Sequence, residues 1–193
     1  MSQLNTELLK RIINTGLNQN IEDFNSFIET GTNAGDSVLS VEKDFAKVHT
    51  IELSEKYFEL FEKRKLLLGK HNIINHLGDS TTVLPKILSE LNENDNCIFW
   101  LDGHWSSYDT AKGDKDCPLN EECYSIDRTY KANSAIILID DYRLFNTKLN
   151  EDWSEITEEN LKNKFNNFVI LNQLVLNDIL ALHIQRKTVS RNE

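Results

Sequence analysis

FNSFIETGTNAGDSVLSV, residues 24–41, decides the fold. A short apolar run ends at Glu29, a turn rich in Gly, Thr and Asn follows, and a helix begins near Asp36. Strand, glycine turn and helix in that order form the opening unit of an α/β sheet. The unit then repeats. VHTIEL (48–53) precedes the helical stretch SEKYFELFEKRKLLLG (54–69), NIINHLGD (72–79) precedes TTVLPKILSEL (81–91), and CIFWLD (97–102) and AIILIDD (135–141) complete five strands. Near-continuous apolar runs suit a parallel sheet covered by helices on both faces. Right-handed crossovers give such a sheet a ligand crevice at the carboxyl ends of its strands.

Past Asp141 a helix is expected near residues 158–165, and FVILNQLVL (168–176) and DILALHIQ (178–185) lie close enough to form a hairpin. The expected fold is therefore α/β: a Rossmann-like, doubly wound, mostly parallel seven-stranded sheet with an antiparallel C-terminal hairpin strand. At the other end, Leu8, Leu9, Ile12 and Ile13 have the spacing of an amphipathic helix. One domain spanning 1–193 is expected, with an N-terminal helical region (1–23) and a lid-like loop and helix (103–134).

Composition narrows the function. A net charge of -10, with only 21 Lys and Arg scattered along the chain, argues against a nucleic-acid phosphate track. The apolar runs are too short to span a bilayer, and MSQLNTELLKRI lacks the apolar core of a secretion signal, so a cytoplasmic protein that does not enter membranes is expected. Cys97 lies in an apolar segment and reads as a packed thiol; Cys117 and Cys123 are expected to be reduced.

Acids end every one of the first five strands: Glu29, Glu52, Asp79, Asp102, and the pair Asp140 and Asp141. In an open parallel sheet these positions converge on one rim. A single such acid reads as a helix cap or solvated loop residue, but the whole series points to a site. In Glu29-Thr30-Gly31-Thr32-Asn33-Ala34-Gly35, two glycines four apart sit where backbone can approach a ligand and helix amides point at it. Glu52 follows Glu29 by 23 residues, where an acid can accept ribose hydroxyl hydrogens.

On these residues the chain resembles class I S-adenosylmethionine (SAM) methyltransferases over roughly residues 24–142. ETGTNAG looks like their first motif, Glu52 in HTIELSE like the ribose-binding acid, and Asp79-Ser80 in LGDST like the adenine-contacting position. The resemblance implies SAM as cofactor, held by Glu29, Thr30, Gly31, Gly35, Asp36, Ser37, Glu52, Asp79, Ser80 and Asp102. The G-x-G-x-x-G turn of dinucleotide oxidoreductases is absent.

LDGHW (101–105) followed by ILIDDY (137–142) also resembles the metal-dependent O-methyltransferases of the catechol and macrocin types. That resemblance implies Mg²⁺ or another divalent cation on Asp102, Asp140 and Asp141, since hard oxygen donors suit Mg²⁺. Asp102 and His104 are the candidate catalytic residues. An imidazole can accept the proton of a metal-polarised hydroxyl, although macrocin-type enzymes usually carry an acid near this place, and a positioning or structural histidine is the alternative.

The polar segment WSSYDTAKGDKDCPL (105–119) is long for a connection and reads as a lid. Trp105 and Tyr108 could stack on a substrate ring, while Lys112, Lys115 and Arg143 could meet it through charge; a solvated loop and a surface salt bridge are the plainer alternatives. Three functions follow: a metal-assisted O-methyltransferase acting on a glycan or small molecule, a metal-independent methyltransferase, and a nonenzymatic binding protein. A homodimer remains open.

Overall fold

The computed structural model describes residues 4–104, 117–149 and 151–188. Seven strands make one sheet: β1 (Ser26–Thr30), β2 (Lys47–Glu52), β3 (Ile73–Leu77), β4 (Cys97–Leu101), β5 (Ser134–Ile139), β6 (Phe168–Leu176) and β7 (Ile179–Arg186). Six α-helices accompany them: α1 (Thr6–Lys10), α2 (Asp36–Val41), α3 (Glu55–Leu67), α4 (Ser80–Glu90), α5 (Leu119–Thr129) and α6 (Glu158–Lys162). The strand order is β3-β2-β1-β4-β5-β7-β6; β1 to β5 are parallel, and β7 pairs antiparallel with both β5 and β6. β1 therefore lies between β2 and β4, and the strand order reverses there. In doubly wound sheets ligands bind at such a switch point.

Alternation along the strands divides the interior into two layers. Ile28, Phe99 and Ile137 face the layer that includes Leu84, Ile126 and Leu161 from α4, α5 and α6. Phe27, Ile98 and Ile136 face the other, with Leu9, Val38 and Phe61 from α1, α2 and α3. The N-terminal segment forms the expected amphipathic face, but it continues past Lys10 as a π-helical turn over Arg11–Gly16, which keeps Ile12 and Ile13 buried beside Leu8 and Leu9.

The expectation of covered runs fails for β3, where Ile74 is 51% and Leu77 46% exposed. β3 is the edge of the parallel half, so it lacks a neighbour on one side. The hairpin closes through Asn177 and Asp178, both with positive φ, as a two-residue turn of the primed type requires. All three cysteines are buried and unbridged, and burial pushes the Cys97 thiol up to about 12. Among the described residues no helix is long and apolar enough to cross a membrane.

Candidate functional site

The carboxyl end of β1 sets the site. Gly31 has φ +83°, and a Cβ there would stand 2.3 Å from the carbonyl oxygen of Asp102; one at Gly35 (φ +80°) would stand 2.2 Å from the Phe61 ring. Both glycines are thus required by the chain's own packing, a reason beyond the ligand approach expected from sequence. Glu52 pins the same turn. Its Oε2 accepts the Asn33 backbone N–H at 2.7 Å and its Oε1 that of Ser54 at 2.8 Å. Each carboxylate oxygen retains a second lone pair, so two hydroxyls can still be accepted.

Asp36, Asp79 and Glu29 of the expected cofactor set also make contacts within the chain. Asp36 pairs with Arg64 at 2.5 Å, and Ser37 lies beside it in the first turn of α2. Asp79 caps α4 by accepting from the Thr81 N–H at 2.8 Å, and Ser80 is the next residue. Glu29 is turned into the protein rather than left open on the rim: its Oε2 accepts from the Thr50 hydroxyl at 2.6 Å. Burial, with added repulsion from Glu52, pushes its carboxyl up to about 8 against the Thr50 hydrogen bond.

Asp102 and His104 extend from β4, Asp140 and Asp141 from β5. Asp102 is held well above the usual carboxylate range, first by burial and then by the charges of Asp140, Asp141, Glu29 and Glu122. His104 Nε2 lies 3.2 Å from Asp141 Oδ2 and 3.8 Å from Glu151 Oε2, and its Nδ1 lies 3.6 Å from Asp102 Oδ1. The imidazole meets the buried Trp153 edge-on, with centroids 5.0 Å apart, and its side chain is only 9% exposed. Burial lowers its pKa while Asp141 and Glu151 pull it back.

Donor atoms of Asp102, His104 and Asp141 lie within 4.8 Å of one another, a grouping that can hold a metal ion. The sequence-derived triplet named Asp140 instead of His104. Consecutive residues at a strand end turn to different sides, and here Asp141, in the left-handed region at φ 55°, is the one that meets the imidazole. Asp140 is buried close enough to raise Asp102 but lies outside that donor group. Two carboxylates and an imidazole fit a divalent cation.

Arg143, proposed as a substrate contact, forms ion pairs with Asp141 and Asp178. The surface salt bridge is thus the arrangement present. Trp105, Tyr108, Lys112 and Lys115 lie outside the described residues.

Two acids that the sequence reading does not single out join the site. Glu151 accepts from Trp153 Nε1 at 2.9 Å and so stands beside His104. Glu122 on α5 is fully buried against the Thr30 and Ser80 hydroxyls without a well-formed hydrogen bond, and burial pushes it up to about 7. A signal for it existed: Leu119, Glu122, Cys123 and Ile126 form one buried helical stripe, and an acid on such a stripe is out of place.

If Glu52 binds ribose, Glu52→Gln should weaken SAM binding by about 1 to 3 kcal/mol, the range for a lost charged hydrogen bond. Calorimetry checks this; unchanged affinity would remove Glu52 from the site.

No protein-family model and no curated protein sequence matches the chain. Solved structures do. The O-methyltransferase TomG from Streptomyces achromogenes, involved in tomaymycin synthesis and solved in complex with SAM, superposes with TM-score 0.61 at 15% identity, over 93% of this chain and 77% of that one. The SAH-bound Podospora anserina methyltransferase PaMTH1 gives TM-score 0.54 at 14% identity, over 84% and 72%. A geranyl diphosphate methyltransferase in complex with SAM gives 0.55 at 10%, over 86% and 79%. The chain thus has the Rossmann-like fold of the SAM-dependent methyltransferases.

Proposed function

We propose that the protein is a SAM-dependent O-methyltransferase in which a divalent cation at Asp102, His104 and Asp141 assists transfer to a hydroxyl of a sugar, glycan or other small molecule. The observation that carries this is the gathering of those three donors at the strand ends beside the glycine turn and Glu52. The fold shared with SAM-bound enzymes supports the methyl donor, and the O-methyltransferase among them supports oxygen as acceptor. The donor would supply an electrophilic methyl group, and a cation would lower the pKa of a hydroxyl oxygen bound to it.

The chain's residues supply binding and geometry. Glu52, fixed by two backbone amides, holds the ribose hydroxyls. Asp102, His104 and Asp141 orient the acceptor oxygen. Such positioning contributes roughly 7 to 11 kcal/mol in well-aligned systems. The buried Trp153 packs edge-on against His104 and helps fix the imidazole's place. His104 is thereby assigned to the ligating set rather than to the free general base.

A metal-free reading draws on the same 3.2 Å contact between His104 and Asp141. There the carboxylate orients the imidazole, which takes the hydroxyl proton itself. The test has two arms. Calorimetry with S-adenosylhomocysteine should show one saturable site; absence of binding would sink both enzymatic readings. Transfer from labelled SAM to a panel of hydroxylated acceptors should stop with EDTA and return with added cation. Transfer indifferent to EDTA would favour the metal-free reading.

A further inference from the structure

We infer that the cation site selects a later first-row dication, such as Fe²⁺ or Zn²⁺, over Mg²⁺, because one of its donors is the His104 nitrogen. The inference rests on the metal-assisted reading above and concerns the identity of the ion. Mg²⁺ favours an all-oxygen shell and keeps several waters, so an imidazole adds little to its binding. Imidazole suits the later first-row metals, whose affinities rise along the series from Mn²⁺ to Cu²⁺.

The imidazole is held in place from several directions, through both of its ring nitrogens. Its ring rests on Trp153 at 5.0 Å. Asp141 Oδ2 and Glu151 Oε2 lie 3.2 and 3.8 Å from Nε2, and Asp102 Oδ1 lies 3.6 Å from Nδ1. Neighbouring donors on an ion of this size are separated by about 3 Å, given bonds of about 2.1 Å, so the 3.2 Å spacing needs little adjustment to become a shared edge. The carboxylates are anchored too. Asp141 is tied by Arg143, and the Asp102 backbone is held against Gly31. Glu151, fixed by the Trp153 indole N–H, is the next oxygen within reach.

The experiment uses the whole chain stripped of metal and titrated with Mn²⁺, following loss of the free-ion electron paramagnetic resonance signal, with Mg²⁺ as competitor. Zn²⁺, added as a second competitor, is expected to displace the Mn²⁺ at a concentration about tenfold or more below that needed for Mg²⁺. Electron spin echo spectroscopy of the bound Mn²⁺ should show nitrogen coupling, kept in Asp140→Asn and lost in His104→Ala. The wild-type spectrum stands by itself if His104→Ala does not fold. Mn²⁺ bound without nitrogen coupling, or displaced by Mg²⁺ as readily as by Zn²⁺, would overturn the inference and leave the metal-assisted reading in place. Failure of Mn²⁺, Zn²⁺ and Mg²⁺ alike to bind, with or without S-adenosylhomocysteine, would overturn both.

Discussion

His104→Ala is expected to slow methyl transfer roughly 10²-fold or more, the scale for a reacting oxygen left out of position. S-adenosylhomocysteine affinity should stay the same, because Glu52 and the glycine turn do not touch the imidazole among the contacts described. Single-turnover kinetics paired with calorimetry separates the two effects. The side chain fills a place beside Trp153, so the variant should also lose some stability; thermal melts must show a folded protein before the rate is interpreted. A normal rate in a folded variant would remove His104 from the set that orients the acceptor oxygen.

Glu29→Gln is expected to stabilise the ligand-free chain at pH 8 by a few kcal/mol while changing little at pH 4. Burial pushes the Glu29 carboxyl from 4.5 to about 8. An acid with its folded pKa raised binds its proton more tightly when folded. Its stability contribution is complete below 4.5 and is lost as pH rises through about 8. The interval corresponds to roughly 5 kcal/mol as an upper bound. Glutamine preserves an acceptor for the Thr50 hydroxyl without the charge. Buried His49, held down to about 4, acts in the opposite sense by losing stability as pH falls below 6.5. The informative quantity is therefore the difference between wild type and variant in urea melts at each pH. Parallel curves for the two would mean that Glu29 ionises freely in the folded chain.

The central strands were legible because both faces of β1, β4 and β5 are buried, which leaves continuous apolar runs in the sequence. β3 obeys a weaker constraint. An edge strand next to solvent can carry Ile74 outward without any change in local pattern. For the candidate site, acids at strand ends pointed to the rim where Asp102, His104 and Asp141 gather, but spacing does not reveal which of two neighbouring acids turns toward an imidazole. Backbone conformation at Asp141 decides that, and positive φ leaves no mark on an aspartate's identity. Glu151 was hidden for another reason: it is brought beside His104 from beyond β5 by the packing of Trp153, a long-range contact that no local periodicity encodes.

The contact between Gly31 and the Asp102 carbonyl bears on any attempt to re-engineer the acceptor. A loop grafted after β4 from another enzyme must reproduce that carbonyl's path, since a shift toward the turn would dislodge the segment proposed to grip the methyl donor. Swaps that begin beyond His104 should therefore be tolerated, whereas those that cut in at Leu101 should cost donor affinity even when every grafted side chain is well chosen.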